Sequence, residues 1–411
     1  MTMLDVAIVG AGAAGIAAGR HLASAGLDVL LIEATDRIGG RAHTVISDGL
    51  HFDLGCGWLH SADRNPWAVL ASELGFHVDR TPPPWRRQFR DLGFSAADQR
   101  AASAVFAHFE QRLRKAPPAS DRASDMLDPG ARWTPYLEAL SGYINGTELE
   151  HLSVRDYLAY ADAETGVNWR VTEGYGTLVA AAAKDLQVTL NTPVSAIDAS
   201  GRALRLTTPS GTLDATCVIV TIPTDVLAAG VLRLPSQAKD HIDAATRLPL
   251  GLADKIIFRL ANCEEFEPDT QVLGNPHSAR TASYHLRPFG RSLIEGFIGG
   301  TAARELEADD DAMAAFALDE LAGLFGSEIR SRLTPIAQSR WGRLPFSQGS
   351  YSHALPGHAN ARSVLANDID GRIFFAGEAC SPQDFSTAHG AYQTGLSAAH
   401  CILQNRDSAF A

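Results

Sequence analysis

The stretch LDVAIVGAGAAGIAAGRHLASAGLDVLLIEA, residues 4–34, constrains the fold of this chain more than any other. An apolar run, a glycine turn, an alanine-rich helical pattern and a second apolar run make one βαβ unit, with Gly10, Gly12 and Gly15 in GxGxxG spacing. Gly10 permits the tight turn, Gly12 lets the backbone approach a pyrophosphate at the helix N-terminus, and Gly15 lets helix and strand pack closely. Glu33 closes the second strand, placed to accept hydrogen bonds from ribose hydroxyls. The reading is an α/β dinucleotide-binding domain.

At 411 residues the chain exceeds one ordinary core, so two domains or one large composite are expected. A net charge of −12 disfavours a nucleic-acid surface. Five cysteines, an odd number without CxxC spacing, argue against a disulfide framework and a zinc site, so no metal is expected. No apolar run approaches the roughly 18 residues of a membrane span, and no basic segment precedes an apolar one at the N-terminus. A cytoplasmic, membrane-free protein is the expectation, its oligomeric state open, a homodimer included.

After Glu33 comes ATDRIGGRAHT, where Arg37 and Arg41 bring cationic forks near phosphate height. Near the C-terminus, GRIFFAGEACSPQDFSTAHGAYQTGL reads as a buried strand, Gly377-Glu378, a loop and a helix. Ligands of doubly wound sheets bind at such strand ends, and Glu378 is read as orienting the phosphate or polyol groups of a bound dinucleotide. Within RLPLGLADKIIFRL, period two places Asp254 and Ile256 on one face and Lys255 and Ile257 on the other. Lys255 interrupts an apolar row in a chain with only three other lysines.

With βαβ, Glu33, RIGGR and the closing FAGE…HGAY, the chain resembles the flavin-containing amine oxidases: the monoamine and polyamine oxidases and the lysine-specific histone demethylases. The resemblance covers both ends well and residues 80–165 poorly. It implies FAD, and an α/β fold with a Rossmann-type FAD-binding domain assembled from residues 1–79, 170–240 and 341–411. An interleaved α+β substrate domain is expected from 80–169, with a helical subdomain, and 241–340. In this family Gly57 and Trp58, within LHFDLGCGWLHSADRNPW, lie beside the isoalloxazine, and the counterpart of Val194 touches adenine through its backbone. The family's lysine, matched by Lys255, reaches flavin N5 through a water.

Trp341 and Tyr351, in WGRLPFSQGSYSH, match a tryptophan near the ring and one tyrosine of the monoamine oxidase cage. Two departures follow. Ser350 stands where monoamine oxidases carry the cysteine that bonds the flavin, so the FAD is expected to be non-covalent. Thr387 replaces the other cage tyrosine, and with WxH at Trp58–His60 the pocket resembles polyamine oxidases; His60 is expected to hydrogen-bond substrate and His389 to be structural.

The resemblance thus implies oxidation of a polyamine or other alkylamine to an imine by hydride transfer to the flavin, with oxygen as acceptor and hydrogen peroxide released. An arylalkyl monoamine oxidase and an L-amino acid oxidase are the alternatives; the latter needs a cation, for which Arg86, Arg87 and Arg90 are candidates, although a solvated arginine run is the preferred reading of them. A flavin-bound module without turnover is the remaining one.

Overall fold

In the computed structural model, residues 3–410 are described. Among the elements, in chain order, are β1 (Leu4–Val9), α1 (Ala13–Ser24), β2 (Val29–Ile32), α2 (Thr134–Asn145), β3 (Gly211–Val220), β4 (Ala253–Leu260), β5 (Leu293–Gly299), α3 (Gly300–Leu306), β6 (Leu333–Gln338), β7 (Ile373–Phe375) and α4 (Ala388–Phe410). β1 is central to the first sheet: Val6 pairs in parallel with Val29 of β2 on one side and with Cys217 of β3 on the other. On its other edge β3 is long enough to take two more partners, β7 in parallel along its end and Leu204–Thr208 antiparallel along its start. Strands from three separated stretches of chain therefore share one sheet.

The central strands are apolar on both faces because both are covered. Val6 and Ile8 join α1 and α4 in one core, while Ala7, Val9 and Val218 join a second core on the opposite face. Gly15 sets the close fit of α1: a methyl group there would stand 2.1 Å from the Gly10 carbonyl oxygen. Gly10 itself has φ +109°, a conformation that L side chains rarely adopt.

A second, antiparallel sheet runs Thr270–Leu273, Ser283–Leu286, β5, β4, β6. Lys255 pairs with Phe297 and Ile257 with Glu295. Ile256 and Phe258 pack with Met313, Ala317 and Leu321 of the helix Ala312–Phe325, whereas Ile257 packs with Phe52 and Leu54. β4 is thus buried on both sides, which is why its sequence reads as nearly continuous apolar.

Residues 80–165 include α2 and the helices Ala96–Lys115 and Val154–Ala163, with Phe109, Leu113, Leu137 and Val154 in their own core. This piece is tied to the rest by a buried ion pair. Arg362, 1% exposed, donates Nε and Nη2 to the two carboxylate oxygens of Asp156 at 2.6 and 2.8 Å, and Nη1 to Ser352 Oγ at 2.9 Å.

Candidate active site

One cavity of about 480 Å³ runs from the glycine turn to β4 and β5. Its lining includes Gly10, Gly12, Glu33, Arg41, Gly57, Trp58, His60, Val194, Lys255, Trp341, Tyr351, Gly377, Glu378 and Thr387. Fourteen of the fifteen residues assigned a site role from sequence therefore meet on one wall or another. Gly15 is the exception, lying behind the wall against Gly10.

At the nucleotide end, the Glu33 carboxylate is fastened to the loop it faces. Oε2 accepts from Ala11 N at 2.9 Å, and Oε1 from Thr35 N and Thr35 Oγ1 at 2.9 and 2.8 Å. An ionised carboxylate has about four acceptor positions, which leaves one for a hydroxyl. A methyl group on Gly12 would meet nothing nearer than 3.9 Å, and one on Gly377 nothing within 4 Å, so backbone faces the cavity openly at both strand ends. An open glycine turn, a buried acid with one acceptor left and a long cavity fit a dinucleotide.

Glu378 is buried and has no acceptor position to spare. Oε1 accepts from Arg41 Nη1 at 2.8 Å and Ser352 N at 3.1 Å; Oε2 accepts from Ser352 Oγ at 2.7 Å and Ser386 N at 2.9 Å. Burial would push its carboxyl up, but Arg41, Arg362 and the Ser352 hydrogen bond hold it below the usual range. Arg41 Nη1 also donates to the Ser350 carbonyl oxygen at 2.9 Å. Both residues tie the walls together at the cavity edge.

At the far end, Lys255 Nζ donates to the Asp53 carbonyl oxygen at 2.7 Å and stands 3.3 Å from where a methyl group on Gly57 would be. The Phe297 ring lies 5.2 Å away. Burial raises the pKa of the Asp53 carboxyl, offset in part by Lys255 and by donation from Thr44 Oγ1, Tyr175 N and Gly176 N. Trp341 is pinned at two points, its backbone N to Asp254 Oδ1 at 3.1 Å and its indole Nε1 to the Leu54 carbonyl oxygen at 3.1 Å.

The Tyr351 hydroxyl donates to the Tyr143 carbonyl oxygen at 2.6 Å, and burial raises its pKa, keeping it a phenol. His60 bonds Asn168 Oδ1 through Nδ1 at 2.7 Å, and burial lowers its pKa, leaving a neutral ring. Thr387 caps α4, its hydroxyl donating to the Asp384 carbonyl oxygen and accepting from Gly390 N. Ser350 Oγ is held between the Ala253 N and O atoms at 2.9 and 2.8 Å.

His389 is buried 3.2 Å from Asp384 and does not line the cavity. Neither do Arg87, paired with Glu267, and Arg90, stacked on Phe89; the side chain of Arg86 lies outside the described residues. Sequence reasoning missed Tyr143 and Ile298 of the lining, and also Trp85. Trp85 is 49% exposed and covers two lining rings, Trp58 at 5.0 Å and His60 at 6.2 Å between centroids. Phe297 and Ile298 had a signal, since EGFIGG is strand-like beside LADK; Tyr143 had none.

No helix among the described residues is long and apolar enough to cross a membrane. The family model for flavin containing amine oxidoreductase matches residues 13–101 and 95–403. The chain is 28% identical to polyamine oxidase 4 of Oryza sativa subsp. japonica, covering 96% of this chain and 88% of that protein. It is 28% identical to polyamine oxidase 2 of Arabidopsis thaliana (96% and 87%) and 26% identical to human lysine-specific histone demethylase 2 (95% and 52%). A solved structure of putrescine oxidase with putrescine superposes with a TM-score of 0.79 at 19% identity, over 98% of this chain and 99% of that one. With a dinucleotide cavity that ends at a lysine and a pinned tryptophan, and a family match over nearly the whole chain, the protein belongs to the flavin containing amine oxidoreductases and is an FAD-dependent amine oxidase.

Proposed function

We propose that the chain oxidises the C–N bond of a polyamine or other alkylamine, with oxygen as acceptor and hydrogen peroxide and an imine as products. The observation that carries this reading is Lys255: a lysine fixed by the Asp53 carbonyl in the same cavity as the dinucleotide turn. Bound FAD supplies the chemistry, accepting a hydride equivalent from the carbon next to the neutral amine and passing the electrons to oxygen.

The residues hold and exclude. Glu33 and the open glycine turn would hold the adenosine and pyrophosphate, with Val194 beside the adenine. Gly57, Trp58 and Trp341 would flank the ring. Lys255 has one of its three N–H groups engaged by the Asp53 carbonyl; the others have no hydrogen-bond partner among the described residues and can hold a water and stabilise negative charge developing beside it. Neutral His60 and the phenol of Tyr351 present polar atoms without charge, which suits an amine that must react unprotonated.

A monoamine with an apolar body is the second reading. The walls towards Lys255 include Trp58, Tyr143, Phe297, Ile298 and Tyr351, and the carboxylates of the lining lie elsewhere or are engaged: Glu33 and Asp36 at the nucleotide end, Glu378 as above, Asp254 Oδ1 with Ser339 and Trp341. Asp254 Oδ2 lacks a donor but is buried on the face of β4 turned away from Lys255, so it is not placed to take a second ammonium of the substrate there. Arg87 and Arg90, the candidate cations for an L-amino acid, do not line the cavity.

A peroxide-coupled screen of putrescine, spermidine, hexylamine, benzylamine and L-amino acids tests the proposal. Turnover of any amine supports it, the ranking separates polyamine from monoamine, and absence of turnover across the panel with FAD bound overturns it.

A further inference from the structure

Lys255 and Trp341 converge on one buried acid. Asp254, 1% exposed, points away from Lys255 on the other face of β4. Its Oδ1 accepts from Ser339 Oγ at 2.8 Å and from Trp341 N at 3.1 Å. Ser339 Oγ in turn accepts from Lys255 N at 2.8 Å, and Ser339 N donates to the Lys255 carbonyl oxygen at 2.9 Å. One carboxyl oxygen thus holds the backbone of both residues.

The other oxygen, Oδ2, is buried without a donor among the described residues. Burial and a second acid, Glu307, which follows α3 and is itself 5% exposed, push the Asp254 carboxyl well above its usual range. Glu307 Oε1 accepts from Gly342 N at 2.9 Å, the residue after Trp341. Two buried acids thus hold consecutive backbone amides, Trp341 N and Gly342 N, and two buried negative charges side by side repel strongly unless a proton is held between them.

We propose that Asp254 and Glu307 share one proton and act together as positioning residues, clamping the 339–342 segment so that Trp341 and Lys255 keep their places in the cavity. Asp254 is the donor, since its buried Oδ2 receives no hydrogen bond among the described residues while its Oδ1 already receives two. The groups around the pair supply no compensating cation to Oδ2. Ser339 and Trp341 bond Oδ1, and Tyr351 faces it as a buried phenol. Arg343 donates to the carbonyl oxygens of Glu307 and Ala308, Arg340 pairs with Asp310, and the Lys255 ammonium lies on the opposite face. Burial and Glu307 both act to keep the proton on Asp254.

The amine must react unprotonated, which favours alkaline conditions, while the clamp needs its proton, which alkaline conditions remove. The enzyme's upper pH limit then belongs to the protein and is the same for every substrate.

The experiment is a titration from neutrality upward of wild type, Asp254→Asn and Glu307→Gln, following melting temperature and tryptophan emission of the apoprotein and FAD retention of the holoenzyme. Either amide supplies an N–H between the two groups that no base removes. The wild type is expected to lose a few degrees of melting temperature, with a change in tryptophan emission and release of FAD, in one alkaline transition. At least one amide variant is expected to lack that transition in all three readouts. A variant that fails to fold leaves the other to decide. A wild type without the transition, or folded amide variants that keep it, overturns the proposal.

Discussion

Ser350 bears on how the flavin is held. Its hydroxyl is held between the N and O atoms of Ala253 and carries no sulfur with which to bond a flavin ring. Acid precipitation is expected to leave all of the FAD in the supernatant; yellow colour in the washed pellet would contradict this. Lys255→Met keeps the apolar stem and deletes the ammonium. Turnover is expected to fall about 10²–10³-fold, the effect of losing one preorganised electrostatic donor, with FAD still bound. Stopped-flow reduction and reoxidation timed separately will show which half slows, and unaltered rates in both would make the lysine structural. Glu33→Ala removes more than an acceptor for ribose hydroxyls. Because the carboxylate also accepts from Ala11 and Thr35, the variant is expected to lose FAD affinity and also to melt lower, each lost bond to the charged group costing about 1.5–3 kcal/mol.

At the scale of elements, α4 shows a residue with a second duty. Thr387 was read as the substitute for a cage tyrosine, and it does line the cavity, but its hydroxyl is the cap of α4. Thr387→Val, which keeps the volume, is expected to cost about 1 kcal/mol of stability with little change in substrate ranking. Thr387→Tyr is expected to cost the same and to shift kcat/KM towards flat arylalkyl amines. Equal melting temperatures for wild type and Thr387→Val would remove the capping role. The elements legible from sequence were those whose logic is local: the glycine turn with Glu33, the period-two strand of Lys255, and Gly377-Glu378 opening onto α4. What stayed hidden depends on partners distant in the chain. Asp53 meets Lys255, Tyr175 and Gly176 only after folding, and Asp254 reads as an ordinary strand acid until Glu307 is brought to it. Trp85 lies in the proline-rich stretch TPPPWRR, and that it covers Trp58 is not written in its neighbours.

For the whole molecule, ion pairs with depressed carboxyl pKa values join its parts. Glu378 sits below its ordinary value despite burial, because of Arg41, Arg362 and Ser352, and Asp384 and Asp269 are lowered by Arg64 and His389 and by His285 and Arg170. A carboxyl whose folded pKa lies below its unfolded one contributes stability above the unfolded value and loses it as pH falls through the folded value. Tertiary structure and bound FAD are therefore expected to persist below about pH 4, the usual carboxylate range. Glu378→Gln, which loses the charge and sets an amide N–H against the donors of Ser352 or Ser386, is expected to move the acid transition upward. Near-UV circular dichroism against pH checks both, and superposable curves would contradict the role given to Glu378.

The shared sheet also bears on how the protein is made. A ribosome delivers β1, α1 and β2 first, yet the walls that complete the cavity, with Trp341, Tyr351 and Glu378, leave the exit tunnel long afterwards. The nascent nucleotide turn must wait, half-walled, with β3 lacking its parallel neighbour β7. FAD capture is then a late event, following synthesis of β7, and a cell short of riboflavin would accumulate finished, colourless chains and few arrested ones.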